Sequence, residues 1–498
     1  MKKLFLLVTI LITSIFTLKA QVSDLSDLAS GSLEMFVPIS ELNGDIYGYF
    51  TIYKLDNISK TEEKYEYVLL DKNLNKVANG EFVDVRYKRH FFETRFLSPE
   101  KSGTNLIISK VHYNYLNAKY TFMTHRILDL TKNEMSDPFY YKDGEITDGI
   151  RDVKKIKGLA KRQSTFEYPL VFSEGFFMFE KIKSKAGGNL KDMKSLKAFG
   201  IDKKLKWEYE YNPDRSSLNY AFEAIDEENV IFWTFNTKTK SEKLHRLNPK
   251  TGEVIFLYEL ENKSSEYNHV YRLEILEDRI VIVGKMSAYK KSGYNYKKAL
   301  GVFRIELDKE GKELSKKYFT WNKANEFMEI KENGKMKGGY RLRTKKYFVF
   351  KDGSISILTE KWRDNTDLFI VKVLDANVTD FVMFNFDADF NLKSVDVIEK
   401  DKTKGYSSDY LFSQKIEDGK GVAFFYSDNK KVEGKKKEKN WVLGIVTIKE
   451  GKMNHEQIPM SSEDHFIYPY IAKEGYILLR EFNKDADYDQ IRLERLNY

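Results

Sequence analysis

Glutamates stand in otherwise apolar segments at Glu93, Glu167, Glu223 and Glu274, with Arg95 and Arg272 beside two of them. Two carboxylates facing each other across a cleft suit acid–base cleavage of a glycosidic bond. A carboxylate held by an arginine instead lines a wet channel and does no chemistry. In an extended strand Arg272 and Glu274 share one side, while Leu273 and Ile275 share the other. Polar lining is the preferred reading. Glu93, Glu223 and Glu274 are the candidate catalytic residues of the alternative, a glycan-acting hydrolase or lyase.

A second group lies at Tyr289, Lys290, Lys291, Tyr294 and Tyr296, where ring faces interleave with ammonium groups. Such rings stack on sugars, and the lysines attract polyanions. These five, together with Arg272, are the candidate ligand-binding residues.

Other chemistry is missing. There is no Cys, which excludes disulfides, thiolate metal sites and a Cys nucleophile. No G-x-S-x-G, G-x-G-x-x-G or phosphate-loop motif occurs. The seven histidines lack metal-ligand spacing, and Pro459 stands where a zinc helix opening at His455-Glu456 needs its second His. Asp387-Ala388-Asp389 and Asp485-Ala486-Asp487 open like calcium loops but lack the turn Gly and the closing Glu, so both read as solvated turns. No metal or cofactor is expected. His90 and His465, at the starts of inner strands, are the two histidines nearest a channel mouth. The five Trp residues, Trp441 among them, read as packing.

The elements that must position these residues follow a repeat. Residues 166–179 and 466–479 align without a gap as F-E-Y-P-L-V-F-S-E-G-F-F-M-F and F-I-Y-P-Y-I-A-K-E-G-Y-I-L-L. Each is an apolar strand, a tight turn and a second apolar strand. Similar turns recur from Asn43-Gly44 to Glu474-Gly475 at a mean spacing of about 61 residues. A further turn, such as Asp71-Lys72-Asn73-Leu74, Asp308-Lys309-Glu310-Gly311 or Asp387-Ala388-Asp389-Phe390, closes another strand pair in each unit.

Four strands per unit at this period describe an all-β propeller of four-stranded blades, with eight blades preferred and seven the alternative. Second strands such as Val230 to Phe235 are nearly all apolar, as in a sheet covered on both faces. Pro38, Pro169 and Pro469 fall in first strands, which fits an innermost edge that needs no ladder donor. The last unit lacks its outer strand, and Leu33 to Phe36 is the expected replacement. Residues 145–165 and 323–340 read as irregular or briefly helical.

Met1-Lys2-Lys3, an apolar run from Leu4 to Leu18 and the small Ala20 compose a secretory signal peptide over residues 1–20, ahead of a single propeller domain over 21–498. Its removal takes away Lys2, Lys3 and Lys19 and lowers the net charge from +8 to +5. That near-balance does not imply nucleic acid as a partner. No later run reaches spanning length, so the mature chain is expected in the periplasm or outside the cell, without a membrane span.

The leader ending Lys19-Ala20-Gln21, the absence of Cys and the Lys-, Tyr- and Phe-rich repeats with Leu-Asp-Lys turns at 70–72 and 307–309 resemble exported propeller-like proteins of the Bacteroidetes type. The resemblance implies export and the propeller fold. It lacks the W-D, kelch and Asp-box signatures, so no catalytic or binding residue is carried over. The expected function is a non-catalytic exported propeller, a binding or interaction scaffold for a glycan or an envelope protein.

Overall fold

The computed structural model describes residues 22–496 apart from 61, 86–91, 115–121, 143, 150–167, 183–192, 213–217, 237–240, 261–266, 289–298, 365–375, 405–407, 418, 432–438, 450, 461–464 and 484–487. The fold is an all-β propeller. Successive antiparallel sheets cover residues 32–85, 92–148, 170–210, 218–260, 267–320, 341–404, 410–459 and 465–495, here numbered first to eighth.

Seven of these sheets are blades built on four strands, the alternative count, and the sixth adds a short fifth strand, Thr403–Lys404, that pairs with Ala376–Phe386. The second sheet is built differently. Its inner strand is broken into Phe92–Phe96 and Glu100–Ser102, and its outer part into Glu134–Met135, Phe139–Lys142 and Glu145–Asp148. Pro99 and Pro138 stand at the two breaks, where a residue without an N–H cannot continue a ladder. The Glu145–Asp148 strand also corrects the expectation that this stretch is irregular. The other insertion does contain short 3₁₀ turns, Trp321–Glu326 and Lys337–Gly339. Among the described residues no helix is long and apolar enough to cross a membrane.

Each sheet hides its apolar faces against its neighbours. Val283, Trp321, Ile357 and Phe384 join the fifth and sixth sheets, and Tyr49, Tyr53, Leu478 and Leu493 join the first and eighth. The ring is therefore closed. Pro38 and Pro469 sit in the innermost strands Ser32–Ser40 and His465–Ile471, and Pro169 directly precedes Leu170–Phe172.

Closure comes from a different segment than expected. Val22–Asp24 pairs antiparallel with Asp489–Arg495 and supplies the outer strand of the eighth sheet. Leu33 to Phe36 instead belongs to the innermost strand of the first sheet. The short strand is fixed by Leu25, buried in the first–eighth interface, whose carbonyl accepts from the Tyr53 hydroxyl at 2.6 Å.

The repeated second turn has a common cause. A leading Asp or Asn side chain accepts from amides two to four residues on, as Asp71 does from Asn73 and Asn75 at 2.8 Å, and Asp387 from Asp389 at 3.0 Å and Asn391 at 2.8 Å. A left-handed residue follows, Gly311 (φ 85°) in one unit but Leu74 (φ 66°) and Phe390 (φ 63°) in others. Leu74 and Phe390 are buried, and that burial offsets the backbone cost. The Asp387 carboxylate is thus occupied by the turn and by Lys393 at 2.9 Å. Residues 484–487 of the other calcium-like stretch lie outside the described residues.

The turns also lock neighbouring sheets. Trp207 Nε1 donates to the Pro249 carbonyl at 3.0 Å, Arg246 Nη1 to Lys309 and Arg304 Nη1 to Ala388, each at 2.5 Å. Trp233 and Trp321 pack as expected, whereas Trp441 is 50% exposed.

Candidate functional site

Inner strands and the turns that follow them converge on one mouth of the central channel. A cleft of about 280 Å³ there is lined from five sheets, by Asp45, Glu274, Lys346, Lys415 and Ala472 among others. Sheets that are not neighbours meet only around the axis, so this cleft is the channel mouth. A second, more open cleft of about 610 Å³ adjoins it and is lined by Glu41, Glu100, Glu223 and Asp226. Asn43 and Glu274 belong to both.

Glu274 is the next-to-last residue of Tyr267–Ile275, and Lys415 holds the same place in Tyr410–Ile416. Lys415 donates to the Glu274 carboxylate across the intervening sixth sheet. From that sheet Lys346 lines the same cleft. Burial holds the Lys346 ammonium below its usual range, opposed by Glu274 and assisted by Arg272 and Lys415. Leu273 and Ile275 pack between the fourth and fifth sheets, as alternation requires.

Glu223 reaches its place by a bulge. In Leu218–Ile225 the register steps from Phe222 to Ala224, so Glu223 is the extra residue. Its side chain is only 4% exposed and lies 3.8 Å from Arg272 Nη1. Burial pushes its carboxyl up to about 7, with Arg272 acting in the opposite direction. Glu100 is similar: the Tyr168 hydroxyl donates to it at 2.8 Å, and burial raises its carboxyl.

The structure thus brings Glu223, Glu274 and Arg272 together. It does not bring Glu93, which is exposed on Phe92–Phe96 and lines neither cleft. The break at Pro99 gives its place at the mouth to Glu100. Tyr289, Lys290, Lys291, Tyr294 and Tyr296 lie outside the described residues, as do His90 and Glu167. Lys346, Lys415 and Glu100 escaped the sequence reading. Lys415 was findable, because it shares the next-to-last inner-strand position with Glu274.

Among the described residues no group of His, Asp and Glu could hold a metal ion. His112, His125 and His245 are buried and structural. His125 Nδ1 lies 2.9 Å from the Ser109 hydroxyl, and His245 stacks on Phe232 at 4.7 Å.

Solved structures similar to this chain include prolyl oligopeptidase B from Galerina marginata, at 8% identity and a TM-score of 0.38 over 91% of this chain and 55% of that one. The chain therefore spans about half the length of that protein. The propeller domain of the Trilobed protease from Pyrococcus furiosus is 10% identical, with a TM-score of 0.32 over 81% of this chain and 96% of that one. An ulvan lyase is 10% identical, with a TM-score of 0.37 over 80% and 91%. No curated protein matches the chain. Residues 1–408 match the family of unknown function DUF6770, and the chain belongs to that family.

Proposed function

We propose that this protein is a non-catalytic propeller that binds a ligand at its channel mouth, as an exported scaffold of the cell envelope. The observation behind this reading is the pairing of the channel carboxylates. Glu223 faces Arg272, and Glu274 accepts from Lys415. A carboxylate that faces a cation presents a polar, charge-balanced wall to a bound molecule. The leader at residues 1–20 and the resemblance to exported Bacteroidetes-type propellers support a periplasmic or secreted location, where a glycan or an envelope protein is the partner.

The test is a screen of the purified chain against glycans and peptidoglycan fragments, reading binding and turnover in parallel. Binding without turnover is expected. Turnover that disappears in Glu274→Gln overturns the proposal.

One observation favours a second reading, a glycan-acting hydrolase or lyase. A carboxyl that titrates near 7, as Glu223 does, is protonated in part at neutral pH and can give up a proton. Under that reading Glu223→Gln abolishes a turnover that Arg272→Ala only alters.

A further inference from the structure

The innermost strand of the eighth sheet, His465–Ile471, pairs with Tyr476–Asn483 so that Phe466 lies opposite Phe482 and Tyr468 opposite Arg480. Side chains at 466, 468, 480 and 482 therefore share one face. Further along that face, Tyr470 and Leu478 pack against the first sheet, with Tyr470 edge-on to Phe36 at 5.1 Å. Beyond Tyr470 the face emerges into solvent. Tyr468 is 56% exposed and Phe466 40% exposed.

These rings form a continuous shelf. Tyr468 stacks on Phe482 with centroids 5.7 Å apart and planes 16° apart, and Phe466 adjoins Phe482 at 5.9 Å. The guanidinium of Arg480 lies 5.2 Å from the Phe482 ring centre. Arg480 is itself fixed by two bonds to Asp489, from Nε at 2.8 Å and from Nη2 at 2.6 Å. A single exposed aromatic is ordinary, but a contiguous and rigidly backed group of them marks a contact surface.

We propose that this shelf binds a pyranose unit of a neutral glycan chain. The C–H face of a sugar ring matches the open face of an exposed aromatic ring such as Tyr468, and its hydroxyls can donate to the lone pairs that Asp489 keeps after serving Arg480. Neutrality follows from the charges around the shelf. On the shelf's own face Arg480 is matched by Asp489, one charge against one, whereas Arg492, Glu481 and Glu494 stand on the opposite face. A charged occupant finds its counter-charge already taken.

The shelf is separate from the channel-mouth cleft. None of Phe466, Tyr468, Arg480 and Phe482 lines that cleft, and Tyr468 stands three strand residues, roughly 10 Å, before Ile471, which does. The assignment rests on the binding reading above but not on its cleft, and the experiment separates the two.

The full folded chain is titrated calorimetrically with cellohexaose and with chitohexaose, as wild type and as Tyr468→Ala, Tyr468→Phe and Glu274→Gln. At least one sugar is expected to bind. Tyr468→Ala should weaken it roughly tenfold, while Tyr468→Phe keeps it within about threefold. Glu274→Gln reports on the cleft, and any weakening it adds to the Tyr468→Ala loss belongs to that second site. Matching thermal melts confirm that the exposed position leaves the fold intact. If neither sugar binds, or if Tyr468→Ala binds as wild type does, the shelf assignment is overturned. Binding lost only in Glu274→Gln overturns the shelf and keeps the cleft. Hydrolysis of a sugar whose binding depends on Tyr468 keeps the shelf and overturns the non-catalytic reading.

Discussion

Lys415 of the seventh sheet donates to Glu274 of the fifth, reaching past the inner strand of the sixth. The contact ties together sheets that share no core interface, but both ends meet solvent at the channel mouth. Its stabilising effect is therefore small, below about 1 kcal/mol. A double-mutant cycle with Lys415→Ala and Glu274→Gln, measured by urea unfolding, should return a coupling under that bound. Larger coupling would make the pair a structural clamp rather than a lining of the cleft.

Glu223 gives the stability a pH dependence of its own. Its folded carboxyl sits near 7, against 4.5 when unshifted. The stability contributed by the protonated form is complete below about pH 4.5 and is lost as pH rises through 7. The difference amounts to about 3 kcal/mol. Glu223→Gln should match wild type at pH 4 and exceed its stability at pH 9, as read from melting temperatures across that range.

The buried histidines act with the opposite sign. Burial holds His112, His125 and His245 down to about 3 each, so all three stay neutral in the folded chain. Their contribution is present above pH 6.5 and is lost as pH falls toward 3. His245 is the clearest to test, with the Thr234 hydroxyl at 2.9 Å and the Tyr209 hydroxyl at 3.0 Å. His245→Phe should cost about 1–2 kcal/mol at pH 7 and flatten the fall in urea midpoint between pH 6.5 and 4.

Arg304 is a buried lock between the fifth and sixth sheets. It donates to the Ala388 carbonyl at 2.5 Å, lies 3.3 Å from Glu306 and covers the Phe390 ring at 5.5 Å. Arg304→Ala leaves the Ala388 carbonyl without that donor and Glu306 with Arg279 alone as its cation, at 3.4 Å, and should destabilise by about 2–3 kcal/mol. Lysine lacks the planar fork, so Arg304→Lys should recover less than half of the loss in a chemical unfolding series.

The ring-closing strand should be separable from the rest of the fold. Tyr53→Phe removes one hydrogen bond and should cost about 1 kcal/mol. Leu25→Ala empties a buried site and should cost about 3 kcal/mol. Hydrogen exchange should then accelerate first in Asp489–Arg495, the strand that Val22–Asp24 covers. Uniform acceleration across all the sheets would show that the seam is not a local weak point.

Much of this architecture was legible in residue order, because it rests on local chemistry. The period of the turns, the Asp-led loops at Asp71, Asp308 and Asp387, the edge prolines Pro38 and Pro469 and the apolar second strands each depend on a few adjacent residues. The same holds for the split of Glu274 from Leu273 and Ile275. What strand alternation does not contain is a change of phase. The bulge at Glu223 turns a channel residue into a nearly buried one with a shifted titration, and the break at Pro99 exchanges Glu93 for Glu100. Nor does local pattern say which distant segments meet. Val22–Asp24 rather than Leu33 to Phe36 closes the ring, Lys415 finds Glu274 across a sheet, and Tyr468 and Phe482 emerge where the first sheet stops covering the eighth. Those outcomes depend on how twisted sheets stack around an axis, a long-range balance of packing that only the folded chain resolves.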